Sequence, residues 1–154
     1  MNIMKMKSKI VLSVLIITIL ISCSSNLKVI QTEYKLQKFE NENINLEKLG
    51  NGKVLIYNGA DALHQATGRI NIWIDGKPLG QLRLKEYLIV NLDEGSYNFK
   101  LQHIDLVNMR SKHDVEITKK TKIIRVEPTA FSNKLTVTND VVQDSGNLIN
   151  MTNR

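Results

Sequence analysis

The stretch that decides the fold is Ile70-Asn71-Ile72-Trp73-Ile74-Asp75-Gly76-Lys77-Pro78-Leu79-Gly80. Its three isoleucines occupy every second position, so they lie on one face of an extended strand, and the residues between them point to the other face. Asp75-Gly76 follows as a hairpin signal, because glycine tolerates the positive φ that a primed turn requires. The stretch therefore predicts a β-hairpin with one buried face.

The same period of two recurs along the chain. Alternating runs rich in β-branched and aromatic residues occur at residues 54–57, 97–101, 115–117 and 135–137. Residues 54–57 are apolar on both faces, which indicates a central strand. Turn residues such as Asp93-Glu94-Gly95 separate the runs, and the sequence shows no helical apolar stripe after residue 50. The pattern predicts an all-β fold, either a sandwich or a barrel.

Composition and charge narrow the class of protein. The chain has 154 residues, which favours one domain, and its formal net charge is +6. Three of the 21 basic residues lie within residues 1–22, so the remainder carries 18 basic and 15 acidic residues, a net charge of +3. Because these charges are scattered, the sequence argues against nucleic acid as a partner.

The first 22 residues have the form of a secretory signal. A short segment with Lys5, Lys7 and Lys9 precedes residues 10–21, which are apolar except for Ser13 and Thr18. Twelve helical residues span roughly 18 Å, whereas the hydrocarbon core of a bilayer is about 30 Å thick. We therefore predict a signal peptide over residues 1–22 rather than a transmembrane helix.

The signal ends at the chain's single cysteine. Leu20-Ile21-Ser22-Cys23 resembles the lipobox of bacterial lipoproteins. The resemblance implies that signal peptidase recognises Leu20, Ile21 and Ser22, and that Cys23 carries diacylglycerol as the mature N-terminus. Two or more acyl chains hold a protein stably on a membrane. For a Gram-negative source, serine rather than aspartate at position 24 favours the outer membrane, facing the periplasm.

The sequence divides into four segments. Residues 1–22 are the predicted lipoprotein signal peptide, residues 23–51 a lipidated N-terminus and polar tether, residues 52–139 the sandwich, and residues 140–154 a polar tail. Part of the tether is alternatively the first strand. The tail is expected to fray or to form one short helix.

A second resemblance covers residues 53–139. The hairpin pattern from Ile72 to Gly80, followed by residues 87–92 and by Glu94-Gly95-Ser96-Tyr97, resembles the β-sandwich modules named PEGA after a Pro-Glu-Gly-Ala motif. It is similar in particular to a domain-of-unknown-function family of bacterial lipoproteins. With the strand pattern, the resemblance implies a small all-β fold, an immunoglobulin-like or PEGA-like antiparallel β-sandwich, and it supplies no active-site residues.

The sequence contains no recognisable catalytic, cofactor-binding or metal-binding pattern. His64, His103 and His113 are far apart and lack the ligand spacing of a zinc site, so we expect solvated loop histidines. Asp93-Glu94 and Asp105 lack the spacing of a calcium loop and are expected in turns. We therefore predict no catalytic residues, no cofactor and no metal.

Two residues are candidates for binding. If the isoleucines face the core, Trp73 and Asn71 lie on the opposite face, where an exposed tryptophan can stack on a sugar or anchor a partner. The alternative is that the tether or a second layer covers them. The basic run Lys119-Lys120-Thr121-Lys122, with Arg125, is expected to be a solvated hairpin tip.

These features favour a lipid-anchored, non-enzymatic envelope protein. Its sandwich would serve a structural, scaffolding or partner-binding role. One alternative is a carbohydrate- or peptidoglycan-binding module that uses Trp73, and another is an envelope enzyme. The expected partners are the membrane, through the lipid, and an envelope protein or glycan. The sequence makes no prediction of the oligomeric state.

Overall fold

The computed structural model describes residues 30–38, 44–60, 68–104, 108–140 and 147–153. Within these ranges the chain forms ten strands and two short 3-10 helices, Leu46–Lys48 and Met151–Asn153. The strands are β1 (Leu36–Gln37), β2 (Lys53–Asn58), β3 (Ile70–Ile74), β4 (Lys77–Leu82), β5 (Glu86–Asn91), β6 (Gly95–His103), β7 (Arg110–Ile117), β8 (Ile123–Pro128), β9 (Asn133–Val137) and β10 (Ile149–Asn150).

The strands form two sheets packed face to face. The six-stranded sheet has the order β1-β5-β2-β8-β9, with β10 also paired to β5, and the four-stranded sheet has the order β4-β3-β6-β7. This architecture confirms the prediction of an all-β sandwich. Most neighbours are antiparallel, as predicted, but β2 pairs with β8 and β5 pairs with β10 in parallel. The parallel pairs arise because the chain crosses between sheets before it returns.

The main core lies between the two sheets. It combines the inward side chains of both sheets, including Ile56 and Leu88 from one and Ile72, Phe99 and Leu101 from the other, all fully buried. Burying an aliphatic or aromatic side chain of this size contributes about 1.5–3 kcal/mol. The alternation read from the sequence therefore marks the inward face correctly.

The six-stranded sheet is buried on its outer face as well. Leu55, Tyr57, Ile89 and Ile123 form a second apolar cluster there with Leu49 and Tyr87. Ile44, Leu46 and Leu148 pack against this cluster from outside the sheet. This explains why residues 54–57 are apolar on both faces: β2 lies between β5 and β8 and has no solvated side.

The β3–β4 hairpin has the predicted turn. Asp75 and Gly76 have φ angles of 50° and 80°, the positive values that a type I′ turn needs. The register between β3 and β4 shifts between Ile72 and Trp73, which marks a β-bulge. Gly80 lies beside the bulge with φ of 141°, and a Cβ there would approach Met151 to 3.1 Å. The glycines of the hairpin are thus required by the backbone and by close packing.

The described part of the tether is docked on the sandwich. The Glu33 amide donates to the Pro78 carbonyl (2.9 Å), and the Tyr34 hydroxyl donates to the Ile74 carbonyl (3.1 Å). Leu36 then pairs with Val90 of β5 and packs against the core. The alternative that part of the tether is the first strand is therefore confirmed. This segment spans the edges of both sheets.

The C-terminal segment also belongs to the sandwich. Ile149 and Asn150 form β10 on the same edge of β5 that β1 occupies, and Met151 packs against the core. The predicted short helix is present as the 3-10 turn Met151–Asn153. Fraying is wrong for residues 147–153, because β10 pairs with the edge of β5 and Met151 packs against the core.

Candidate functional site

The outer face of the four-stranded sheet presents an aromatic side chain to solvent. Ile70, Ile72 and Ile74 are completely buried on the inner face, and Trp73 between them is half-buried on the outer face. The alternation of β3 thus places Trp73 as the sequence predicted. The register shift at Ile72/Trp73 leaves Leu79 unpaired, so the extra residue of the bulge lies on β4 and the alternation of β3 is uninterrupted.

Trp73 is the first member of a row of side chains across three strands. Its cross-strand partner on β6 is Lys100, whose Nζ lies 5.0 Å from the centroid of the indole ring, a cation–π contact. Lys100 is in turn opposite Lys112 on β7. We call Trp73, Lys100 and Lys112 the aromatic–basic patch. It spans about 10 Å, two strand spacings.

The neighbouring row carries amides. Asn71 is opposite Gln81 on β4 and Gln102 on β6, and Gln102 is opposite Arg110. Asn71 is only 4% exposed and accepts a hydrogen bond of 2.8 Å from Gln81 Nε2. Of the two candidate binding residues, Trp73 therefore offers accessible surface and Asn71 supports the sheet. The binding role of the pair stays a prediction.

Two histidines lie on the inner face of the four-stranded sheet, near β9. His103 is 5% exposed, and its Nδ1 is 2.8 Å from Asn133 Oδ1. His113 is half-buried, and its Nε2 is 2.8 Å from Ser111 Oγ. The expectation of solvated loop histidines is wrong for both, because each belongs to a strand and has a polar partner. His64 lies outside the described residues.

The environment of His113 favours its neutral form. Burial lowers the pKa of His113, and a hydrogen bond to the Asn133 backbone opposes this shift only in part. The unfolded chain, with a histidine pKa of about 6.5, therefore binds a proton more readily than the folded one. Stability conferred by neutral His113 is present above pH 6.5 and is lost as the pH falls toward its folded pKa.

Replacing His113 with glutamine tests this linkage. We expect the free energy of unfolding of the wild type to fall more steeply than that of His113→Gln between pH 7 and pH 5, because the other titrating groups are common to both. Urea denaturation at a series of pH values measures the difference. Parallel pH profiles for the two proteins would contradict the assignment.

The turn residues Asp93, Glu94 and Lys119 lie at one end of the sandwich, and the β8–β9 turn lies at the opposite end. Lys119 forms an exposed ion pair of 3.7 Å with Glu94, beside a surface depression that also involves Asp93 and Gly52. Arg125 is not part of this group: on β8 it donates to the Gly59 carbonyl (2.7 Å) and pairs with Glu127. The predicted basic run therefore separates into Lys119, which pairs with Glu94 at the turn, and Arg125, which is held on β8.

The described residues contain no group of three or more His, Cys, Asp or Glu side chains placed to hold a metal ion. Asp105 lies outside these residues. Asp93 and Glu94 are exposed between β5 and β6, the turn position expected of them.

The predicted lipidation site, Cys23, lies outside the described residues, as do the predicted signal-peptidase recognition residues Leu20, Ile21 and Ser22. Within the part of the chain that the structure covers, no helix is long and apolar enough to cross a membrane. Comparison with family models, with curated proteins and with solved structures found no match to this chain.

Proposed function

We propose that this chain is a lipid-anchored, non-enzymatic protein of the cell envelope whose β-sandwich binds a partner. The lipobox-like Leu20-Ile21-Ser22-Cys23 supports the anchor. The observation that carries the binding role is the aromatic–basic patch, a half-buried tryptophan with Lys100 above its ring and Lys112 beyond it. Tryptophan is among the residues most often found as the central anchor of a protein interface.

The charges of the patch indicate the chemistry of the partner. Lys100 and Lys112 are directly opposite each other, and like charges so placed repel. A partner with carboxylates over this row would relieve the repulsion and would stack an apolar group on Trp73. We therefore propose an acidic surface of another envelope protein as the partner.

The arrangement of the remaining polar groups supports a non-enzymatic role. His103 and His113 pack between the sheets toward β9, whereas the depression lined by Asp93 and Glu94 is at the opposite end. General acid–base catalysis needs such groups within hydrogen-bond reach of one substrate position. In the described residues these acids and histidines do not converge.

A glycan is the second candidate ligand, and the amide row favours it. Gln102 and Arg110 lie beside the aromatic–basic patch, and sugars are bound by stacking on tryptophan next to such hydrogen-bonding groups. In this case Lys100 has to move from the ring before a sugar can stack there. Peptidoglycan and envelope polysaccharides are the ligands of this class.

Photo-crosslinking in membranes tests the protein partner. A photoreactive phenylalanine at Lys100 in the full-length chain is expected to give a discrete adduct with a second polypeptide. The same residue at Lys134, exposed on β9 of the other sheet, serves as the control and is expected to give none. Equal adducts from both positions, or none from Lys100, would contradict the proposal.

Substitution of Trp73 distinguishes the two ligands. Trp73→Ala is expected to reduce the Lys100 adduct at least tenfold, since a central tryptophan commonly contributes 2 kcal/mol or more to binding. Binding of the detergent-solubilised protein to purified sacculi is expected to be weak and unchanged. If Trp73→Ala instead abolishes binding to sacculi while circular dichroism is unaltered, the ligand is the glycan.

A further inference from the structure

Strand β7 is an edge strand with one open side. It is the last strand of the four-stranded sheet and pairs with β6 over all eight of its residues. Among the described residues no strand pairs with its other side. Arg110, Lys112, Asp114 and Glu116 are exposed along it, while Val115 and Ile117 are buried. A long edge of this kind is a template for pairing with another strand.

The charges along this edge are antisymmetric about its centre. Two basic residues, Arg110 and Lys112, precede His113, and two acidic residues, Asp114 and Glu116, follow it at mirrored positions. All four side chains lie on the same outer face, because they alternate with the inward residues. An antiparallel copy of the strand centred on His113 would place each basic residue opposite an acidic one.

Within the sheet these charges are not neutralised by their neighbours on β6. Lys112 is opposite Lys100, Arg110 is opposite Gln102, and Glu116 is opposite Ser96. Asp114 accepts a hydrogen bond of 2.8 Å from Asn98 Nδ2, a neutral donor. The ion pairs found in the described part of the chain join other residues. The outer face of β7 thus keeps two positive and two negative charges available for a partner.

We propose that a second copy of this chain pairs antiparallel with β7 about a two-fold axis at His113. The two four-stranded sheets then become one continuous eight-stranded sheet, joined by main-chain hydrogen bonds. Lys112 faces the partner's Asp114, and Arg110 faces the partner's Glu116. By symmetry each contact occurs twice, as an isologous interface requires.

The charge pattern selects this register against its neighbours. Sliding the second strand by two residues keeps the same faces outward but places Lys112 against the partner's Lys112, or Asp114 against the partner's Asp114, depending on direction. Only the His113-centred register pairs opposite charges throughout. Charges that merely protect an edge from pairing need no such antisymmetry.

The pairing also defines an orientation relative to the membrane. In each copy the tether contacts β4, the edge strand farthest from β7. In the dimer the two tethers therefore lie at opposite ends of the joined sheet, because the two β7 strands pair antiparallel. The proposed anchor Cys23 lies ten positions before Glu33, which is bonded to the sandwich, and ten residues of chain span at most about 35 Å. Both anchors therefore reach one bilayer when the strands lie along the membrane plane.

Disulfide trapping in membranes tests the register. Cys23 is the only native cysteine, and in the proposed lipoprotein its sulfur is held in a thioether, so the introduced cysteine is the only free thiol and reports on its own position. His113→Cys in the full-length protein is expected to form a disulfide-linked dimer on mild oxidation, because residues opposite each other in antiparallel strands have Cα atoms about 4.5–5.5 Å apart. Arg110→Cys, about 20 Å from its counterpart, is expected to remain monomeric.

Val137→Cys, exposed on the edge strand β9 of the other sheet, is the second control and is also expected to remain monomeric. The absence of a His113→Cys dimer, or equal cross-linking of all three variants, would overturn the proposal. Trp73→Ala in the His113→Cys background is expected to leave the dimer intact. Failure of partner binding and failure of self-association are thereby separate results.

A charge swap tests the contacts independently of cysteine. Arg110→Glu and Glu116→Arg each turn two attractive pairs into repulsive ones, so each is expected to weaken dimerisation at least tenfold. The double variant restores opposite charges at both positions and is expected to dimerise within about threefold of the wild type. Sedimentation of the detergent-solubilised full-length protein measures this. A double variant as weak as the single variants would overturn the proposal.

Discussion

Replacing Cys23 with alanine is expected to abolish acylation and to remove the mature lipid anchor completely. Each buried CH₂ of an acyl chain contributes about 0.8 kcal/mol, so loss of two or more chains removes far more binding energy than the sandwich can replace by surface contacts. The thioether cannot form on alanine. We expect radiolabelled palmitate incorporation to be abolished and a precursor that retains residues 1–22 to accumulate.

The folded domain itself should be unaffected by this change. Among the described residues, the tether's first hydrogen bond to the sandwich is made by Glu33, ten positions after the anchor. Circular dichroism and thermal unfolding of Cys23→Ala are therefore expected to match those of the wild type. Ser24→Ala, which leaves the thiol in place, is the matched control and should be labelled normally. Labelling of Cys23→Ala would exclude lipidation at this residue.

Local patterns predicted the interior of each sheet. The period of two in residues 70–74 and 115–117 separates the inward-facing residues from the outward-facing ones, and Asp75-Gly76 forms the expected turn. The apolar run in residues 54–57 identified β2 as central. Each of these features depends on side chains within one strand or turn, so the sequence carries the signal directly.

The edges could not be predicted in the same way. β1 and β10 have two residues each, too few to show a period, and they exist because both occupy one edge of β5. The parallel pairing of β2 with β8 joins segments about 70 residues apart. Such contacts depend on the assembled fold, and no local propensity specifies them.

In the candidate site, too, the features set within one strand were predicted and those set by contacts between strands were not. The orientation of Trp73 follows from the alternation of β3 and was predicted. The burial of Asn71 was not, because it depends on the register with β4, which a bulge shifts between Ile72 and Trp73. The row from Trp73 to Lys112 crosses three strands and became visible only with the sheet order.

Replacing Phe99 with alanine is expected to destabilise the fold more than any other single substitution considered. Phe99 has no exposed surface and lies on β6, opposite Ile74 of β3 and His113 of β7. Removal of a buried phenylalanine typically costs about 3–5 kcal/mol, which combines lost burial with the cavity left behind. That is a third or more of the stability of a typical domain. A fall in Tm of roughly 10–20 °C should follow.

The chain supplies a matched control for this measurement. Phe131, in the turn between β8 and β9, is 86% exposed, so Phe131→Ala removes the same atoms from a position that buries almost nothing. We expect its free energy of unfolding to stay within about 0.5 kcal/mol of the wild type. Calorimetry of both variants isolates the contribution of burial. If the two losses were similar, Phe99 would not lie in the core, and the packing of the four-stranded sheet against its partner would be wrong, because Phe99 is among the largest side chains between them.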